Sequence, residues 1–72
     1  MTTDILTAKR YVFVDIAIIE IFNPDEKIWD YYLSIDKDAN LIYVFGVQEQ
    51  FSRDNIRELW KNGYFENFKN DA

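Results

Sequence analysis

The stretch RYVFVDIAIIEIF, residues 10–22, decides how the rest of the chain is arranged. Its density of β-branched and aromatic residues reads as strand. Two carboxylates, Asp15 and Glu20, interrupt it five residues apart. Side chains alternate along a strand, so a regular strand places these two on opposite faces. A β-bulge at Ala17 and Ile18 removes the conflict, because one extra residue shifts the phase. Val12, Val14, Ile16, Ile19 and Ile21 then share an aliphatic face. Tyr11, Phe13, Asp15, Glu20 and Phe22 share the other, with both carboxylates among aromatics. A break into two short strands is the alternative. The bulged reading predicts one long strand over 9–22 whose acidic, aromatic face looks outward.

From this strand the remaining elements follow. NPDEK, residues 23–27, is a turn, since Pro24 presets φ and Asn23 bonds its own backbone. IWDYYLSI at 28–35 and LIYVFGVQ at 41–48 are two further strands, joined by a second turn, DKDAN. Trp29, Tyr31, Leu33 and Ile35 alternate onto one face of the second strand; in the third, Ile42 and Val44 point inward and Tyr43 and Phe45 outward. Short connections between consecutive strands favour an antiparallel meander. The period then changes. Ser52 is a helix N-cap, Asp54 suits the first turn, and Ile56, Leu59 and Trp60 recur at helical spacing. Gly63 falls at the C′ position, with Tyr64 placed to pack on Leu59. The expectation is an α+β fold, a three-stranded antiparallel meander (β-β-β-α) with one C-terminal helix, 53–62, on one face. Residues 1–8 form a loose arm and 63–72 a tail; if that tail or the arm does not fold across the second face, it stays open.

The chain has 72 residues, 49% of them hydrophobic, which fits one small domain. A core of this size is marginal and usually needs a staple. With no cysteine and no histidine, disulfides and thiolate or imidazole metal sites are excluded. Oligomerisation or attachment to a partner is the staple left. No apolar run spans a bilayer, and the start, MTTDILTAKRY, has no signal-peptide core, so the expected place is the cytoplasm. The net charge is −5, yet residues 15–50 alone carry −6 and the rest +1. An acidic region repels phosphate backbones and attracts basic surfaces. It also keeps an apolar sheet in solution.

Catalytic chemistry has little to draw on, and the chain is read as a non-enzyme with no cofactor and no metal. The usual general base and the strongest nucleophile are both missing. DKDAN begins like a calcium loop, but Leu41 stands where glycine is required and Val47 where a bidentate glutamate is required. Arg53, Arg57 and Lys61 make a basic ridge on the helix, which Asp54 and Glu58 are spaced to neutralise. Direct nucleic-acid binding is disfavoured by the net charge.

The sequence therefore points to a small acidic protein–protein binding protein. Its expected partner surface is Tyr11, Phe13, Asp15, Glu20, Asp25, Glu26, Asp30, Tyr32, Asp36 and Asp38. In its sharper form this is an inhibitor of a nucleic-acid-binding enzyme: carboxylates occupy a basic groove in place of phosphates, and aromatics dock where bases stack. In size, acidity and lack of catalytic side chains the chain is similar to the small anti-defence proteins of phages and mobile elements, including anti-restriction and anti-CRISPR proteins. That likeness implies a basic, nucleic-acid-binding partner and covers no alignable stretch. The alternative is a structural accessory subunit that forms a homodimer through a sheet face or edge.

Overall fold

The computed structural model describes residues 8–35 and 40–69. Four strands and two helices follow in order: β1 Ala8–Val12, β2 Ala17–Asn23, β3 Ile28–Ser34, β4 Ile42–Val47, α1 Arg53–Lys61 and α2 Glu66–Lys69. The sheet is antiparallel throughout, in the order β1-β2-β3-β4. The fold is α+β with an open antiparallel sheet and a C-terminal helix, but with four strands where three were expected, and a second, short helix. The arm, apart from Ala8, and most of the second turn, with Asp36 and Asp38, lie outside the described residues.

The extra strand comes from the opening stretch. It is a hairpin, so the alternative of two short strands holds and the bulge at Ala17 and Ile18 does not. Val12 pairs with Ala17 and Tyr11 with Ile18. The Phe13 N–H donates to the Ile16 carbonyl at 2.8 Å, closing a two-residue loop of Val14 and Asp15. Two-residue hairpins usually advertise themselves through Asn-Gly or Asp-Gly, which supply positive φ. Here neither loop residue has positive φ, and nothing in VFVDIA marks a turn.

Breaking the strand at residues 13–16 inverts the expected faces. Ile18 and Glu20 point to the covered side, with Tyr11, Tyr31 and Leu33 beside them. Val12 and Val14, expected in the core, are 67% and 90% exposed. Ile16 alone of that set is deeply buried, at the inner end of the turn. A bulge does occur, but in β4. Tyr31 pairs with Phe45 and Tyr32 with Tyr43, so Val44 is the extra residue. Val44 and Ile42 pack against the core as expected. Phe45 joins them, against expectation, because the extra residue brings it back to the inner face, 5.3 Å from the Tyr31 ring.

The C-terminal half behaves as its sequence signals. Ser52 Oγ accepts the Asn55 N–H at the start of α1. At its end Gly63 has φ 78°, its N–H donates to Trp60 O, and the Tyr64 N–H reaches Leu59 O. That pair of bonds is a Schellman ending, and it turns the chain back toward the sheet. Ile56 of α1 and Phe65 after it enter the same core as Ile18, Tyr31 and Leu33. Burying each of these side chains contributes on the order of 1.5–3 kcal/mol. Tyr64, next to Phe45, and Phe68 of α2 pack on this core from the same side. The tail thus thickens the covered face, and among the described residues no helix lies on the opposite face of the sheet.

Candidate interaction surfaces

The expected partner residues divide among three environments. Glu20 and Tyr11 are buried, at 1% and 8% exposure, so neither presents its side chain on an outer face of the sheet. Their expected place on an outer face is overturned, because Glu20 sits opposite Tyr31 in the sheet and finds donors there. Its Oε2 accepts the Tyr31 hydroxyl at 2.6 Å and, at 3.5 Å, the Tyr11 hydroxyl; its Oε1 accepts Gln50 Nε2 at 3.0 Å. Tyr31 Oη in turn accepts the Phe51 N–H at 2.8 Å. A buried carboxylate is tolerated only when its lone pairs are filled this way. No side-chain polar atom is left buried without a partner among the described residues. Burial, and then the Glu20 hydrogen bond, push the Tyr31 phenol well above its ordinary value. Burial and the Glu20 charge raise Tyr11 as well. The network pins β1, β2 and β3 to the chain that leads into α1.

Phe13 and Asp15 belong to the hairpin turn. The Phe13 ring stacks on Trp60 at 5.1 Å, tying the turn to α1 rather than presenting it outward. Asp15 is exposed and accepts Lys69 Nζ at 2.8 Å, tying the turn to α2. That hydrogen bond holds the Asp15 carboxyl below its usual range.

The third group lies on the uncovered face or beside it. Register places Ile19 and Ile21 of β2, Ile28, Asp30 and Tyr32 of β3, and Tyr43 of β4 on this face. All are partly or well exposed, and none of these apolar side chains packs against the core. The Tyr32 and Tyr43 rings meet edge to face at 5.6 Å. The Asp30 carboxylate lies near the Tyr43 hydroxyl, and partial desolvation followed by the Asp30 charge raises the Tyr43 pKa. Gly46, opposite Asp30, makes this possible: a Cβ there would sit 2.8 Å from Asp30 Oδ1 and 2.9 Å from Tyr43 Oη. Asp25 and Glu26 are exposed in the β2–β3 turn, where Asn23 Oδ1 accepts both of their N–H groups. Ile19 and Ile21 were missed as surface residues, because the apolar alternation of β2 is the same whichever face is buried; Tyr43 does point outward as expected, but neither it nor Ile28 was counted among the partner residues.

The helix ridge also differs from expectation. Among the described residues the ion pairs are Lys69–Asp15 and Lys69–Glu66, so Asp54 and Glu58 do not neutralise Arg57 and Lys61. Also among the described residues, no group of three or more potential metal ligands gathers, and no helix is long and apolar enough to cross a membrane. Comparison with models of known protein families, with curated proteins and with solved structures finds no match for this chain.

Proposed function

We propose that this chain is a non-catalytic protein-binding protein that works through the uncovered face of its sheet. The observation that carries the reading is the set Ile19, Ile21, Ile28, Tyr32 and Tyr43, partly exposed side chains that do not pack on the core. Contiguous apolar surface of this kind, rimmed by charge, marks interaction sites. Asp30 lies within the patch and Asp25 and Glu26 at its end, which favours a basic partner. The narrower form of the proposal is inhibition of a nucleic-acid-binding enzyme, with these three carboxylates standing in for phosphates and the tyrosines for bases.

The test compares one captured basic partner against variants. Tyr32→Ala and Tyr43→Ala should speed dissociation at least ~10-fold, as hot-spot aromatics do. Asp30→Lys should slow association, and less so at high salt, because the Debye length shrinks from ~10 Å at 0.1 M to ~3 Å at 1 M. Val14→Ser, on the exposed turn, is the control. If all the face variants bind like the control, the uncovered face is not the binding surface.

A second reading rests on a different observation. β4, IYVFGV, has no charged residue, and its outer edge has no partner strand among the described residues. Uncharged edges invite pairing with another copy. A homodimer built by β4–β4 pairing is the form this takes, and light scattering on the eluting protein distinguishes it from a monomer.

A further inference from the structure

The opposite edge of the sheet carries the reverse charge. Two adjoining hollows, of about 280 and 450 Å³, run between β1 and the first half of α1 and share Tyr11 and Arg53. They are lined by Lys9, Arg10, Arg53 and Arg57, half of the eight basic residues of the whole chain, with the Arg10 side chain turned to the far face beside Ile19. Their floor is aromatic, with Tyr11, Phe13 and Trp60. Arg10, Arg53 and Arg57 enter no ion pair among the described residues, although the chain carries 13 acids. Lys9 lies over the Tyr11 ring, 5.7 Å from its centroid. Lateral to this groove, β1 has no partner strand among the described residues.

The backbone shows what such a groove accepts. The Phe13–Ile16 bond makes that a hydrogen-bonded pair, and hydrogen-bonded pairs alternate in an antiparallel ladder. Tyr11 and Ile18 are therefore the next bonded pair, and the N–H and C=O groups of Arg10 and Val12 point away from β2 to the free edge. An edge offering donors and acceptors in alternation is matched by another polypeptide strand. A phosphate chain supplies acceptors only. A second copy of β1 is disfavoured, because antiparallel self-pairing about the strand centre sets Arg10 against Arg10.

We propose that this groove binds an extended acidic peptide segment, which adds to the sheet as a fifth strand beside β1 and sets the carboxylates of one of its faces against Lys9, Arg53 and Arg57. Main-chain bonds to Arg10 and Val12 give it register, and its alternate, apolar side chains lie beside the exposed Val12 on the other face of the sheet. The site lies at the β1 edge of the sheet, two strands from Asp30 and Tyr32, and does not depend on the function proposed for the uncovered face.

The probe is a labelled peptide of about eight residues alternating glutamate and valine, titrated by fluorescence anisotropy against the full chain. Saturable binding is expected, weakened at least ~10-fold by Arg53→Glu combined with Arg57→Glu, two exposed helix positions whose change leaves the fold intact. Val12→Pro, which removes an outward N–H without touching the β1–β2 ladder, should weaken it comparably. In the wild-type chain the Arg10 and Val12 amides should gain hydrogen-exchange protection on adding the peptide, a readout independent of any variant. Absence of saturable binding overturns the proposal. So does binding that leaves those two amides unprotected, which is charge attraction without strand addition. Tighter binding of a thymidine oligonucleotide through the same arginines overturns it in favour of nucleic acid.

Discussion

Replacing Glu20 separates the buried-network structure from a surface carboxylate most sharply. Glu20→Ala removes the acceptor for two short hydrogen bonds, from Tyr31 Oη at 2.6 Å and Gln50 Nε2 at 3.0 Å, and a long one from Tyr11 at 3.5 Å. Each short bond to a carboxylate acceptor is worth roughly 1.5–3 kcal/mol; the stranded Tyr31 hydroxyl stays buried, whereas the exposed Gln50 amide can turn to water. The long one adds little. The expected cost is about 3–5 kcal/mol. A chain of 72 residues has a total stability of about 4–11 kcal/mol, so this single change removes a large share of it. Glu20→Gln keeps the shape and one carbonyl oxygen, and Gln50 can turn its amide to suit, so about 1–2 kcal/mol is expected. Tyr31→Phe lies between, because it deprives both Glu20 of a donor and the Phe51 N–H of its acceptor. Combining Glu20→Ala with Tyr31→Phe should cost less than the two separately, since the second change removes a donor that the first left unpaired. Equilibrium urea unfolding measures all four, with an unchanged slope as the check that the unfolded state is the same. If Glu20→Ala lies within about 0.5 kcal/mol of the wild type, Glu20 behaves as a surface residue and the inverted faces described above are wrong.

The hairpin predicts opposite outcomes one turn apart: Val14→Asp, at a position 90% exposed, should leave the urea midpoint nearly unchanged, whereas Ile16→Asp, at 4% exposure, should unfold the chain as judged by circular dichroism. Gly63→Ala should cost about 1 kcal/mol in urea unfolding purely through backbone strain at φ 78°, since a Cβ there meets no neighbour within 4 Å. Tyr31 and Tyr11 have raised folded-state values, so the stability they confer is full below the ordinary phenol value near 10 and is lost as pH rises through the folded one. Alkaline unfolding should therefore begin near pH 10, and Tyr31→Phe should flatten that dependence in a pH series of urea midpoints.

What the chain's order of residues settles alone is local. Ser52, Asp54 and Gly63 act through backbone groups within a few residues of themselves, so α1 starts and stops where those residues stand. Asn23 and Pro24 do the same for the β2–β3 turn. The alternation of β3 is less clean, because Tyr32 stands among Asp30 and Ser34 on the second face, but the grouping of Trp29, Tyr31 and Leu33 on one side is the one that packs on the core. The acids of that turn, Asp25 and Glu26, were legible as exposed for the same local reason. The opening stretch was different. Residues 10–22 are apolar on both strand faces, so hydrophobic pattern cannot say which side is buried, and the two-residue loop of Val14 and Asp15 has no glycine or asparagine to announce it. Tertiary structure made that choice. Glu20 goes inward because Tyr31, eleven residues on, and Gln50, thirty residues on, converge on its two oxygens, and no local rule foresees donors at that distance. Once Glu20 and Tyr11 are inside, Ile19 and Ile21 must face the other way. The face open to a partner, like the cationic groove beside β1, is thus set by contacts between elements far apart in the chain.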